Sequence, residues 1–101
     1  MVAQKPRVLH LTLNRDPFDK IGLGKKKTEF RQPKSYWKRR LEGQKYDVII
    51  FRNGYSRNAP ELTVEYLGLR KPKASRSGDY EIRLGRVSRV RRWRGPKKAS
   101  A

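Results

Sequence analysis

Short apolar alternations, separated by glycine and proline, constrain the fold of this 101-residue chain most. Residues 7–13 place Leu9, Leu11 and Leu13 on one face of an extended segment. A period of two is typical of a strand with one buried face. The same alternation returns twice later in the chain, at Leu62, Val64 and Tyr66 and at Tyr80, Ile82 and Leu84. The pattern therefore predicts a sheet of several short strands.

Two further segments complete the predicted sheet. The continuous apolar run over residues 48–51 predicts a central strand buried on both sides. Residues 26–31 predict another strand, with Thr28 and Phe30 as its strand-forming residues. After Tyr66 the apolar phase shifts by one residue, which indicates a β-bulge near Gly68.

Two short helices are expected between the strands. Asp16 is a good N-cap, Pro17 suits the first helical position, and Gly22 ends the segment. Ser35 caps a second, basic helix over residues 36–41. Strands and helices of these lengths predict an α+β fold.

The charge balance indicates a polyanionic partner. The chain carries 27 lysines and arginines against nine aspartates and glutamates, a formal net charge of +18. A surplus of this size repels itself unless an anionic polymer neutralises it, and nucleic acid is the commonest such partner. RNA, either single-stranded or structured, is the partner we expect, with DNA as an alternative. A merely soluble, highly charged surface is the simpler explanation.

Other classes of site are disfavoured by composition. Without cysteine and with a single histidine, His10, the chain offers no disulfide framework, and we expect no metal and no cofactor. No apolar stretch approaches the roughly 20 residues of a membrane span. We expect a cytoplasmic protein without membrane association, and no feature of the sequence specifies its oligomeric state.

The C-terminal region differs in composition from the remainder. Residues 83–98 contain many basic residues and no acidic one. We expect one domain over residues 1–90, followed by a basic flexible tail over residues 91–101 that binds phosphates. The nucleic-acid contacts predicted in this region are Arg89, Arg91, Arg92, Trp93 and Arg94.

One eight-residue string, GKKKTEFR over residues 24–31, combines a glycine, three lysines, a carboxylate and a guanidinium. It matches the pattern G-x-K-x-x-E-x-R at Gly24, Lys26, Glu29 and Arg31. This pattern resembles the signature of the ASCH domain, a branch of the PUA-like superfamily, and the resemblance covers roughly residues 7–87. It implies a mixed β-barrel of about five to six strands with short helices at its rim. It also implies a cleft lined by the signature residues, and RNA binding.

The signature residues have two interpretations. On a regular strand, Lys26 and Glu29 point to opposite faces, so a turn or bulge near Lys26 is needed to bring them together. Together with Arg31 they would bind a phosphate or a base edge, with Arg31 as a fork of donors and Lys26 as a point charge. Alternatively, Glu29 forms an ion pair that braces the strand.

Aromatic residues surrounded by cations suit single-stranded RNA, whose unstacked bases lie on rings. Tyr36 and Trp37 lie in the basic helix, and Tyr55 follows Asn53-Gly54 in a loop. We expect Trp37 to pack into the core and Tyr55 to contact ligand. The remaining predicted contacts are the cations Lys25, Lys27, Arg39, Arg40 and Arg52, together with Asn53.

A hydrolase acting on RNA or on an acylated nucleoside is the alternative from another class. Lys26, Glu29, Arg31 and Tyr55 would be its catalytic residues, with His10 as a further candidate base. The resemblance implies that one related branch, the N4-acetylcytidine amidohydrolases, uses a lysine, a threonine and a glutamate. Lys26 aligns with that lysine, whereas Glu29 occupies the position of the threonine.

Overall fold

One five-stranded sheet organises residues 5–96, the part of the chain that the computed structural model describes. Between the strands lie two short α-helices and one 3₁₀ turn (Pro72–Ala74). In chain order the main elements are β1 (Val8–Thr12), α1 (Arg15–Gly22), β2 (Thr28–Arg31), α2 (Ser35–Leu41), β3 (Val48–Arg52), β4 (Glu61–Arg70) and β5 (Tyr80–Arg91). Neither α1 nor α2 is long and apolar enough to cross a membrane.

The strand order is β1-β3-β4-β5-β2, which leaves β1 and β2 as the two edges of a half-barrel. The β1–β3 pair is parallel and every other pair is antiparallel, so the sheet is mixed. The expected α+β class and a mixed, barrel-like sheet are confirmed. No ladder within residues 5–96 joins β1 to β2, and the sheet stays open between them.

The core follows the alternation read from the sequence. Each strand turns every second side chain inward, where burial of apolar area supplies the main stabilising free energy. The helices contribute Phe18, Ile21 and Leu41, all almost completely buried. The strands contribute Leu9, Leu11, Ile49, Phe51, Leu62, Val64, Tyr80, Ile82 and Leu84.

One expectation about β3 is wrong. This strand lies inside the sheet, but only Ile49 and Phe51 are fully buried, while Val48 and Ile50 are half-buried. The reason is that the helices cover one face of the sheet here, so the apolar run faces partial solvent on its other side.

The bulge predicted near Gly68 is present. The β4–β5 register shifts between Val64 and Tyr66 and again between Tyr66 and Gly68. Gly68 has φ of 145°, in the region that favours glycine. Irregularities of this kind bend and twist a strand pair, which contributes to the curvature of the sheet.

Strand β5 is longer than its side-chain pattern indicates. Apolar alternation ends at Leu84, yet pairing with β4 continues to the partners Glu61 and Arg91. Backbone hydrogen bonds rather than buried side chains extend the strand, and its second half is largely exposed. The predicted tail therefore begins inside the last strand.

After β5 the chain returns to α1 through Trp93. The indole Nε1 donates a hydrogen bond to Asp19 Oδ1 over 2.8 Å, and the ring meets Phe18 edge-on at 6.4 Å. Gly22, at the end of α1, lies against the same ring. Trp93 is thus a packing residue here, in contrast to its expected place in a flexible tail. Residues 97–101 of that tail lie outside the described part of the chain.

We expect the effect of Gly22→Ala on the free energy of unfolding to change sign when Trp93 is removed. A Cβ at position 22 would lie 2.5 Å from Trp93, so we expect a loss of about 1–3 kcal/mol from overpacking. In a Trp93→Ala background the clash is absent, and alanine should stabilise the helix by up to about 1 kcal/mol. Urea unfolding of the four proteins measures both effects. A change of the same sign in both backgrounds would contradict this packing.

We expect Tyr80→Phe to alter the pH dependence of stability at both ends. Tyr80 Oη donates to Glu42 Oε2 over 2.6 Å. This bond raises the pKa of Tyr80 to about 12, with burial adding to the rise. It also lowers the pKa of Glu42 from its usual 4.5, against the opposing effect of burial and with help from Lys71 and Lys38. The hydrogen bond stabilises the fold at pH values between the pKa of Glu42 and that of Tyr80, because Glu42 is then ionised and Tyr80 is protonated.

That stability is lost as pH falls through the lowered pKa of Glu42, and again as pH rises from 10 towards 12. The difference in free energy of unfolding between wild type and Tyr80→Phe should therefore be largest near neutral pH and shrink at both extremes. Tyr46→Phe is the control, because Tyr46 donates to the carbonyl of Arg40 and to no carboxylate. A difference independent of pH would exclude the Glu42 bond as its source.

Candidate functional site

An open cleft of about 760 Å³ lies between the two edge strands. Residues 10–14 form one wall, and Glu29, Phe30 and Arg31 of β2 form the other. Helix α2 contributes Tyr36, Trp37 and Arg40, and the loop after β3 contributes Gly54 and Tyr55. The cleft is thus the place where the sheet fails to close.

Two arginines bind the backbone carbonyls of the open edges. Leu84 donates its N–H to Lys27 O, so by the alternation of antiparallel pairing the backbone of Phe30 faces away from β5. Arg31 Nη1 donates to that free Phe30 carbonyl over 2.7 Å. On the other edge, Arg40 Nη2 donates to the carbonyl of His10 over 3.3 Å. The cleft walls are therefore partly capped by guanidinium groups.

Among residues 5–96, Glu29 is the one buried carboxylate that lines the cleft, and it is 3% exposed. Its Oε1 lies 2.7 Å from Lys26 Nζ, and its Oε2 accepts from Arg31 Nη1 at 2.5 Å. Two cations therefore occupy both carboxylate oxygens. The bracing ion pair and the cleft lining, posed as alternatives above, coexist in these side chains.

A turn before β2 brings Lys26 to Glu29, as the sequence required. Gly24 adopts φ of 76°, and the next two amides, of Lys25 and Lys26, both donate to Lys20 O. Because β2 begins only at Thr28, Lys26 lies outside the strand, and its side chain need not point to the face opposite Glu29. Glycine is favoured at position 24 because a side chain at that φ is strained.

The aromatic residues of the cleft fall into two groups, one packed against the core and one exposed to solvent. Trp37 packs against the core, and the guanidinium carbon of Arg31 lies 5.1 Å from its ring centre. Tyr36 meets Trp37 edge-on and stays 53% exposed, while Tyr55 is 90% exposed at the mouth of the cleft. Phe30, assigned from sequence only as a strand former, is 42% exposed beside Lys26. Phe30 follows Glu29 directly in β2, so the two side chains lie on opposite faces of the strand, and with Glu29 buried Phe30 is exposed.

Two predicted ligand contacts instead hold the loop that carries Tyr55. Arg52 donates to Ser56 O over 2.7 Å and lies 3.3 Å from Glu61, and neither it nor Asn53 lines the cleft. Asn53 Nδ2 donates to Leu13 O over 3.1 Å. Arg52 Nη2 and Asn53 Nδ2 therefore bond backbone carbonyls of the fold, while Arg52 Nε is buried without a hydrogen-bond partner among the described residues. The assignment of both residues to ligand binding stays a prediction.

Arg92 also binds the loop that carries Tyr55. Its Nη2 donates to Ala59 O over 3.2 Å and lies 3.9 Å from Glu61, which also attracts Arg91 at 3.9 Å. Other predicted contacts are exposed but do not line the cleft. These are Lys25, Lys27, Arg39, Arg89 and Arg94. His10, the candidate base, is exposed and does line it.

Comparisons with protein-family models, with curated proteins and with solved structures found no match to this chain.

We expect Glu29→Gln to lower the free energy of unfolding by about 1.5–3 kcal/mol, the range for hydrogen bonds to charged groups. The amide keeps the shape of the side chain but leaves Lys26 and Arg31 facing each other without an anion. Asp16→Asn is the matched control, because its pair with Lys20 is exposed on both sides and should contribute about 0.5 kcal/mol or less. Chemical denaturation compares them, and equal small losses would contradict a central role for Glu29.

Proposed function

We propose that this protein is a single-stranded RNA-binding domain of the ASCH type, within the PUA-like superfamily. A mixed half-barrel with short helices supports this placement. The four signature residues support it further: Lys26, Glu29 and Arg31 line one cleft, and the turn at Gly24 positions Lys26.

The observation that carries the proposal is the combination of cations and exposed rings in that cleft. Lys26, Arg31 and Arg40 provide positive charge, and Tyr36 and Tyr55 offer aromatic surface to solvent. Unstacked bases lie favourably on such rings, while the phosphates between them require cations. A chain of +18 net charge would also draw the polymer in over a longer range.

Single strands suit this surface better than a duplex. Reading a duplex groove commonly requires a helix or ribbon that enters it. Helices α1 and α2 have eight and seven residues, and both bury apolar side chains against the sheet. The exposed rings, by contrast, stand at the mouth and wall of an open cleft of about 760 Å³.

We expect Tyr55→Ala to weaken binding of a fluorescent single-stranded RNA by about 5- to 150-fold, equivalent to the roughly 1–3 kcal/mol of one stacked base. Tyr55→Phe keeps the ring and should bind as wild type does. Because Tyr55 carries no charge, the slope of log K against log[salt] should stay the same in both variants. With about six phosphate contacts that slope should be about −4. Fluorescence anisotropy across a salt series measures both quantities.

Competition with single-stranded DNA and with duplex at one salt concentration tests the choice of RNA. Labelled RNA should remain full-length after incubation. Cleavage that disappears in Lys26→Ala would favour the hydrolase alternative instead. Absence of binding to every oligonucleotide at modest ionic strength would refute the proposed function.

A further inference from the structure

Among the described residues of the cleft, Arg40 is a cation without a carboxylate partner. Lys26 and Arg31 share the carboxylate of Glu29. Arg40 lines the same cleft, and within residues 5–96 no carboxylate lies within 4.0 Å of its guanidinium. The three cations and one carboxylate leave the cleft with two uncompensated positive charges.

The guanidinium of Arg40 is held in place by uncharged groups. Its central carbon lies 5.7 Å from the ring centre of Tyr36 and 6.0 Å from that of Trp37. Its Nη2 makes one long bond of 3.3 Å to His10 O, and its Nε is buried without a hydrogen-bond partner among the described residues. A buried donor without a partner is uncommon and calls for a bound group or a functional reason.

A guanidinium fixed by rings is preorganised to receive an anion. Its planar fork of donors matches the oxygens of a phosphate, and less side-chain freedom is lost on binding when aromatic contacts already orient it. His10 lines the same cleft, and its backbone carbonyl accepts the bond from Arg40 Nη2. The site therefore has orientation and charge but no internal counter-ion.

We propose that Arg40 anchors a site for a phosphate monoester, so that the cleft prefers a terminal phosphate of RNA, or that of a free nucleotide, over an internal phosphodiester. A monoester matches the charge of the cleft, because it carries about −1.5 to −2 at pH 7 and the cleft has two uncompensated positive charges. An internal phosphodiester carries only one negative charge. This inference rests on the proposed function and specifies which part of the polymer enters the cleft.

The test uses one RNA sequence in three forms, with a 5′-phosphate, with a 3′-phosphate, and with hydroxyls at both ends. The full-length protein should bind one phosphorylated form at least about tenfold more tightly than the hydroxyl form. Arg40→Gln should reduce this ratio to one, and it should also weaken binding of the hydroxyl form, because Arg40 contributes positive charge to the cleft. Arg39→Gln is the matched control, because it removes the same charge from the same helix at an exposed position outside the cleft.

A second measurement reports on the site without RNA. Titration with inorganic phosphate or with AMP should shift the guanidinium Nε–H resonance of Arg40 in nitrogen-15 NMR and leave that of Arg39 in place. AMP that binds as tightly as the phosphorylated RNA would support the site and identify a free nucleotide as its source. Should Arg40→Gln fail to fold, Arg40→Lys keeps the charge without the fork and should lower the ratio.

The outcomes separate the two proposals. Equal binding of all three RNA forms would overturn the monoester site while leaving RNA binding intact. If no RNA form binds, the proposed function fails, and the Arg40 resonance alone decides the site: a shift with phosphate or AMP supports it and no shift overturns it.

Discussion

The structure depends on how nine carboxylates are distributed among 27 cations. Every acidic side chain except that of Asp79 contacts a cation or a donor within residues 5–96. Several stand where distant segments meet. Asp19 joins α1 to Trp93, and Glu42 joins the end of α2 to Tyr80. Glu61, at the start of β4, pairs with Arg52 at the end of β3 and with Arg91 at the end of β5. The few carboxylates of this chain therefore connect segments that are distant in sequence.

This distribution changes what the positive charge means. Arg52 and Arg92 count fully towards the net charge, yet both are committed to Glu61 and to carbonyls of the loop that presents Tyr55. A charge bound within the fold contributes less to ligand binding, because a ligand would have to displace its existing partner. The cations most available to the proposed anion are those without a carboxylate partner, and among the described residues of the cleft Arg40 is such a cation.

Features encoded by local pattern could be predicted from the sequence. The buried leucines of β1, the bulge near Gly68 and the need for a turn before Glu29 all follow from spacing. Features that depend on distant partners could not. Trp93 and Asp19 are 74 residues apart, and nothing in RRWRG indicates that the indole packs on α1. Likewise, β5 extends to Arg91 because β4 provides backbone partners, a cause absent from the side-chain pattern.

The open edges connect the fold to its proposed use. Unpaired strand edges invite association with other chains, and natural proteins commonly protect them with charge. Here Arg31 and Arg40 each bond a carbonyl on one of the two facing edges, so the groups that guard the edges also make the cleft cationic. Closing the barrel with another strand pair would satisfy those carbonyls but remove the cleft. The incomplete sheet and the cationic cleft are therefore two consequences of the same strand order.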